Sequence, residues 1–187
     1  MKESDIYKLH QKYSTDKKLL EICWTHSQIV KEIALMICKE LKSKYPLQIN
    51  ETLIKQGALT HDIGKYGCGK KNYVQHGEKG YEILIKEGFS LPVARFALTH
   101  VGVGIGNNIP ISLEEEIVCY ADSFHSKGKP RFNHYKGIIE DLKKFGNNNV
   151  IIMERFRKKF GVPNLSNLEK KYKKWHKEIN DWVNTVK

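Results

Sequence analysis

"LTHDIGKYG", Leu59 to Gly67, sets a histidine and an aspartate side by side, His61 and Asp62, at the end of an apolar run. Gly64 follows two residues after the aspartate, and Lys65 comes directly after it. Asn50 is placed to cap a short helix carrying Leu53, Ile54, Gly57, Ala58 and His61 at helical spacing. Neighbouring residues point to different faces of a helix, so His61 and Asp62 reach one centre only where the helix ends.

Working outward, helical periodicity dominates. Ile22, His26, Ile29, Val30, Ile33, Ile37 and Leu41 form a stripe that ends before Pro46. After a glycine-rich turn, "IGKYGCGKK", His76, Gly80, Ile83, Leu84 and Glu87 repeat at helical spacing, and Gly88 suits a C-terminal cap. Pro92 sits in the first turn of a helix with Val93, Phe96, Ala97 and His100 on one face. "VGVGIGNNIP" reads as a loop, and its glycines do not make a dinucleotide fingerprint. Ser112 and Glu115 read as a capping box for a helix with Ile117, Val118, Ala121 and Asp122. Further helices are expected at about 133–145 and 149–160, and a last one runs through Leu168, Tyr172, Trp175, Ile179 and Trp182, packed on the body or used in a homodimer contact. There is no internal repeat and no strand series. The expectation is an all-α chain: one helical-bundle domain over 1–187, its core at about 18–132, its C-terminal helices at about 133–187.

Five of these helices each turn a ligand-type side chain toward the apolar side. They are His26, His61 with Asp62, His76, His100 and Asp122. A buried unpaired carboxylate is unfavourable, so the group gains a proton or finds a cation. One lone histidine on an apolar face is ordinarily satisfied by a carbonyl. Four histidines and two aspartates together point to divalent metal, and imidazole with carboxylate suits Mn, Fe, Co, Ni or Zn.

Composition narrows the function classes. With 187 residues the chain is long enough for one core. No apolar run approaches the roughly 20 residues needed to span a bilayer, and "MKESDIYKLHQKYS" has no apolar signal-peptide core. We therefore expect a cytoplasmic protein without membrane contact. Cys23, Cys38, Cys68 and Cys119 form no CxxC pair, which argues for reduced thiols and against a zinc–thiolate site. The net charge of +11 attracts phosphorylated partners. Nucleic acid is the weaker class of partner, because no aromatic-plus-basic RNA-binding signature is present.

The order early His, tandem His-Asp, distal Asp resembles the HD superfamily of metal-dependent phosphohydrolases. It reads as His26 in "WTHSQ", His61 and Asp62 in "LTHDIGK", and Asp122 in "CYADSF", over about Cys23 to Phe132. "QHGEKGYEIL" and "ALTH" resemble the segments that add His76 and His100 in two-metal members, such as HD-GYP phosphodiesterases and hydrolases of dinucleoside polyphosphates. The "GYP" stretch is missing and Thr99-His100 stands where HD-GYP proteins pair two histidines, so cyclic-di-GMP specificity is not implied. The layout is most similar to small stand-alone HDIG proteins.

The resemblance implies His26, His61, Asp62 and Asp122 around one ion, and Asp62 bridging to a second held by His76 and His100. It implies cleavage of a phosphate ester or anhydride, in a small molecule and most plausibly a nucleotide, by a metal-bound hydroxide. Lys65 is expected to contact substrate phosphate. His125 shares a helical face with Asp122 and reads as a substrate-side group, a general acid or a partner behind a ligand. Lys129 and Arg131, in "HSKGKPRFNHYK", are expected to line the pocket mouth. The competing readings are a phosphodiesterase acting on RNA ends and a non-catalytic metal-containing binding or signalling module.

Overall fold

The computed structural model describes residues 1–68, 75–101 and 108–185. Among them the chain is all-α apart from one small hairpin. The helices are α1 (Glu3–Tyr13), α2 (Lys17–Lys44), α3 (Glu51–Thr60), α4 (His76–Lys86), α5 (Leu91–Thr99), α6 (Leu113–Asp122), α7 (Tyr135–Lys143), α8 (Asn147–Phe160) and α9 (Ser166–Thr185). A 3-10 turn, Ile63–Gly67, follows α3, and β1 (His125–Ser126) pairs antiparallel with β2 (Arg131–Phe132) between α6 and α7. The loop expected at "VGVGIGNNIP" and the end of the glycine-rich turn fall on 102–107 and 69–71, outside the described residues.

The long helix α2 is the spine. Its N-cap is Asp16, whose carboxylate accepts from the Leu19 N–H at 2.6 Å. Ile29, Val30, Ile33, Ala34 and Ile37 on its stripe are all 3% exposed or less. Each of the larger ones contributes roughly 1.5–3 kcal/mol by leaving water. Against this stripe pack α3, through Ile54 and Ala58, and α6, through Ile117, Val118 and Ala121. Phe96 of α5 joins the same core.

Two glycines fix the backbone around α4. Gly88 ends α4 with φ +77°, and the Phe89 N–H reaches the Leu84 carbonyl at 2.9 Å while the Gly88 N–H reaches Ile85 at 3.1 Å, a left-handed helix stop. Gly64 lies where the 3-10 turn crosses α4. A Cβ there would stand 2.0 Å from the His76 carbonyl oxygen and 2.6 Å from the Gly80 nitrogen. The glycine of the motif is therefore what lets the tandem pair approach the helix carrying His76.

Three readings are corrected. Ser112 does cap α6, its hydroxyl accepting from the Glu115 N–H at 3.1 Å, but Glu115 does not complete a capping box. Its buried carboxylate turns to Arg95 and to the Ile111 N–H, both at 2.8 Å, because a buried acid there is satisfied by a fixed cation. The hairpin was not expected. Its strands are two residues each, too short for alternation to register in sequence. The helix expected at 133–145 begins later, at Tyr135, because Asn133 is tied back to Phe124 and Ser123 at the hairpin base.

The last helix docks across the spine and the hairpin. Tyr172 Oη donates to Glu32 at 2.6 Å, Trp175 Nε1 to Glu21 at 3.0 Å, and Asn180 Nδ2 to the Pro130 carbonyl at 2.9 Å. No described helix is long and apolar enough to cross a membrane.

Candidate metal centre

The tandem pair separates because the helix ends between its members. His61 is the C-cap of α3, still in helical backbone, and Asp62 sits at φ −99°, ψ 9°, before the 3-10 turn. That break aims both side chains into one buried space. His26 enters from α2, His76 from the first position of α4, His100 from the end of α5 and Asp122 from the end of α6. His26, His61, Asp62, His76 and His100 are buried, and the Asp122 side chain is 19% exposed.

The two oxygens of Asp62 face different partners. Oδ2 lies 3.5 Å from His26 Nε2 and 3.6 Å from His61 Nε2. Asp122 Oδ1 closes that group, 2.9 Å from His26 Nε2 and 3.4 Å from His61 Nε2. Asp62 Oδ1 lies 3.2 Å from His100 Nε2 and 3.5 Å from His76 Nε2, which are 2.8 Å from each other. The structure thus brings all six expected ligand side chains together, as two nests sharing one carboxylate. Three overlapping triads, His26–His61–Asp62, His61–His100–Asp122 and Asp62–His76–His100, each keep their donor atoms within 4.8 Å.

The donor chemistry fits a cation. The Nδ1 of His61 is 2.7 Å from the Ala58 carbonyl and that of His100 is 3.1 Å from the Phe96 carbonyl. A carbonyl only accepts, so these Nδ1 atoms carry the proton and the neutral rings present lone pairs inward. Lone pairs then face carboxylate oxygens across about three ångströms, an arrangement that a divalent ion between them turns from repulsive to binding. Burial pushes the His100 imidazole down, which keeps it neutral.

Two lysines complete the electrostatics. Lys127 Nζ contacts Asp62 Oδ2, lies 3.0 Å from His26 Nε2 and 4.0 Å from Asp122 Oδ1. Lys65 Nζ is 3.8 Å from Asp62 Oδ1, on the other nest. Burial alone would raise the Asp62 carboxyl, but the Lys127 and Lys65 ammoniums outweigh it and hold the group well below the usual carboxylate range. Asp122 is likewise raised by burial and more than compensated by Lys127, His26 and His61. Burial and then Lys127 press the His26 imidazole down to about 3.

Lys127 corrects the expectation about the pocket mouth. Lys129 and Arg131 are exposed on the hairpin, away from the six ligand side chains, and Arg131 lines a groove against α9. Pairing of β1 with β2 sends the chain back so that Lys127 covers the site while Arg131 points out. The run of cations in the sequence gave no sign of which one folds inward.

His125 is also corrected as a substrate-side residue. It is buried behind His26, with Nδ1 2.8 Å from His26 Nδ1 and Nε2 3.0 Å from His176 Nε2 of α9. Lys127 only donates, so His26 Nε2 accepts and its Nδ1 carries a proton that it gives to His125. His125 in turn donates from Nε2 to His176. Burial, reinforced by the neighbouring imidazoles, lowers the His125 pKa strongly and keeps the chain of rings neutral. Outer partners of metal-binding histidines fix the tautomer and basicity of the ligand. His125→Ala is therefore expected to weaken Mn²⁺ binding about 10- to 100-fold by titration calorimetry, with His125→Gln recovering part of it. Unchanged affinity in the alanine variant would show that His26 needs no such support.

The profile of the HD domain family matches residues 23–127, more than half of the chain. The chain belongs to the HD domain family. Relatives include an uncharacterized protein of Methanocaldococcus jannaschii, 33% identical over 119 residues, 57% of this chain and 66% of that protein. Two tRNA (cytidine(56)-2'-O)-methyltransferases also match. That of Thermoplasma volcanium is 32% identical over 56% of this chain and 32% of its own length, and that of Picrophilus torridus 29% over 68% and 34%. The chain thus spans about a third of the length of the methyltransferases it matches. Among solved structures, the HD domain of the L. monocytogenes phosphodiesterase PgpH superposes with a TM-score of 0.53 over 97% of this chain and 98% of that one, at 14% identity. This agreement confirms the all-α HD fold. Family membership and the clustered ligand set support a metal-dependent phosphohydrolase in general terms.

Proposed function

We propose that this HD protein hydrolyses a phosphate ester or anhydride of a nucleotide, using two divalent ions held in the two nests. The observation that carries the reading is the split of Asp62, whose two oxygens face separate histidine pairs. When bound, such ions would supply Lewis-acid activation of the phosphoryl group and of water. His26, His61 and Asp122 would hold one and His76 and His100 the other, with Asp62 offering an oxygen to each.

The chain's own cations bracket the site. Lys127 and Lys65 lie on opposite oxygens of Asp62, and their side chains are only 16% and 14% exposed. With divalent charge on the carboxylates, both ammoniums would meet the non-bridging oxygens of a phosphoryl group and stabilise charge that grows there. Burial lowers the His26 and His100 imidazoles and keeps those two neutral, and neutral imidazole is the form that binds metal.

The test is turnover of bis- and mono-p-nitrophenyl phosphate and of a nucleotide panel, after chelation and reloading with Mn²⁺, Fe²⁺, Co²⁺ or Ni²⁺. Release is expected only in metal-loaded protein, and preference between the two esters separates diesterase from monoesterase chemistry. If metal is bound but nothing turns over, the site belongs to a binding module. One observation favours a second reading, a phosphodiesterase acting on RNA ends. Residues 123–187 hold 16 of the 32 Lys and Arg but 6 of the 21 Asp and Glu, so they carry +10 of the net +11. Two relatives are, by name, enzymes acting on tRNA.

A further inference from the structure

We infer that the groove between the hairpin and α9 binds the backbone of single-stranded RNA. The groove has a volume of about 460 Å³ and is lined by Arg131, Phe132, Lys170, Lys173, His176 and Asn180, with Glu169 the acidic lining residue. It lies on the far side of the His26–His125–His176 line from the metal ligands, and it uses none of them.

Its cations gather on one groove without carboxylate partners among the described residues, a lack that Lys129, Lys136, Lys143, Lys158 and Lys177 of this half share, but those five line no part of it. Lys144, Arg155, Arg157, Lys159, Lys171 and Lys174 in this half of the chain are paired with carboxylates. Among the described residues no carboxylate lies within ion-pair distance of Arg131, Lys170 or Lys173, and Glu169 is turned to His134 at 3.8 Å. Lys170 and Lys173 stand one turn apart on α9, a like-charge spacing that disfavours the helix, and Arg131 faces them from the hairpin. An anionic chain in the groove relieves that repulsion at three points.

A nucleic acid fits better than an isolated phosphate for two reasons. The excess charge extends over the whole C-terminal third, which draws an extended polyanion. Phe132 and His176, whose rings meet edge to face at 5.1 Å and 74°, line the groove beside the cations and are only partly buried, so they supply the aromatic contact that bases use. The volume is that of a small-ligand site, which admits a few nucleotide units and not a duplex.

The inference does not rest on the hydrolytic reading, so binding is measured with chelator present. Fluorescence polarisation of a labelled unstructured RNA oligonucleotide is expected to show binding that weakens about 20-fold between 50 and 200 mM salt, for three phosphate contacts on a single strand. The R131E/K170E/K173E variant is expected to weaken it at least tenfold, whereas K39E/K55E/K86E, of equal charge and remote from the groove, changes it less than threefold. Equal losses in both variants, or no binding by the wild type, overturn the inference. So does binding to phosphatidylserine vesicles without binding to RNA. Ultraviolet crosslinking of RNA to the wild-type protein needs no variant to fold. Crosslinks are expected within 130–132 and 170–180, and crosslinks confined to other segments refute the assignment.

Discussion

Asp62→Ala is expected to empty the protein of divalent metal and to leave hydrolysis at background. Removal of an outer partner of a metal ligand costs about 10- to 100-fold in affinity. Asp62 stands in both nests, so its loss removes an oxygen donor from each at once and should exceed that range. Elemental analysis after gel filtration should find under a tenth of the wild-type metal content, and turnover of a p-nitrophenyl ester should fall with it. Asp62→Asn preserves the volume and one neutral acceptor while removing the charge that the Lys127 and Lys65 ammoniums sustain, so it separates folding from ligation. Retention of full metal content in the alanine protein would mean that the carboxylate serves the lysines and holds no ion.

The second large effect is on stability. Gly64→Ala places a methyl group 2.0 Å from the His76 carbonyl and 2.6 Å from the Gly80 nitrogen. Both are backbone atoms, so no side chain can turn aside. Overpacking costs about 1–3 kcal/mol and occasionally more. Here the upper end is expected, which lowers the melting temperature of a chain this long by about 6–12 °C. The displaced partner is the backbone of His76 itself, so metal content should drop with the melting temperature. Gly137→Ala is the control. Nothing lies within 4 Å of a Cβ there, inside α7, and a neutral or slightly stabilising effect is expected. A Gly64→Ala protein that melts with the wild type would refute the close crossing.

Most of the helices were legible because their apolar residues recur at the helical period, as in Ile29, Val30, Ile33 and Ile37 of α2. The convergence of His26, His61, Asp62, His76, His100 and Asp122 was legible for a related reason: each is a polar residue on an otherwise apolar stripe. What escaped has no such signature. Helix α1 buries only Ile6, Leu9 and His10 and is polar elsewhere. His10 is kept neutral in the interior by burial, bonded to the Leu59 carbonyl at 2.8 Å and to the Tyr66 hydroxyl at 2.7 Å, contacts across some fifty residues that no local pattern announces. Lys127 was passed over for Lys129 and Arg131 because a two-residue strand decides which cation turns inward. His125 sits one turn beyond Asp122; a place behind a ligand was one of the roles its spacing allowed, and the tertiary fold selects that one.

The rings of His61 and His100 are oriented by carbonyls of their own helices, so those two keep their aim for as long as α3 and α5 stay wound. His26 has no such local anchor. Its orientation is relayed through His125 to His176, in the final twenty-residue helix. A truncation before Ser166, or a partner that prises α9 away, would leave every signature residue in place and still let one imidazole swing loose. Helix α9 thus acts as a latch on a centre with which it shares no sequence motif.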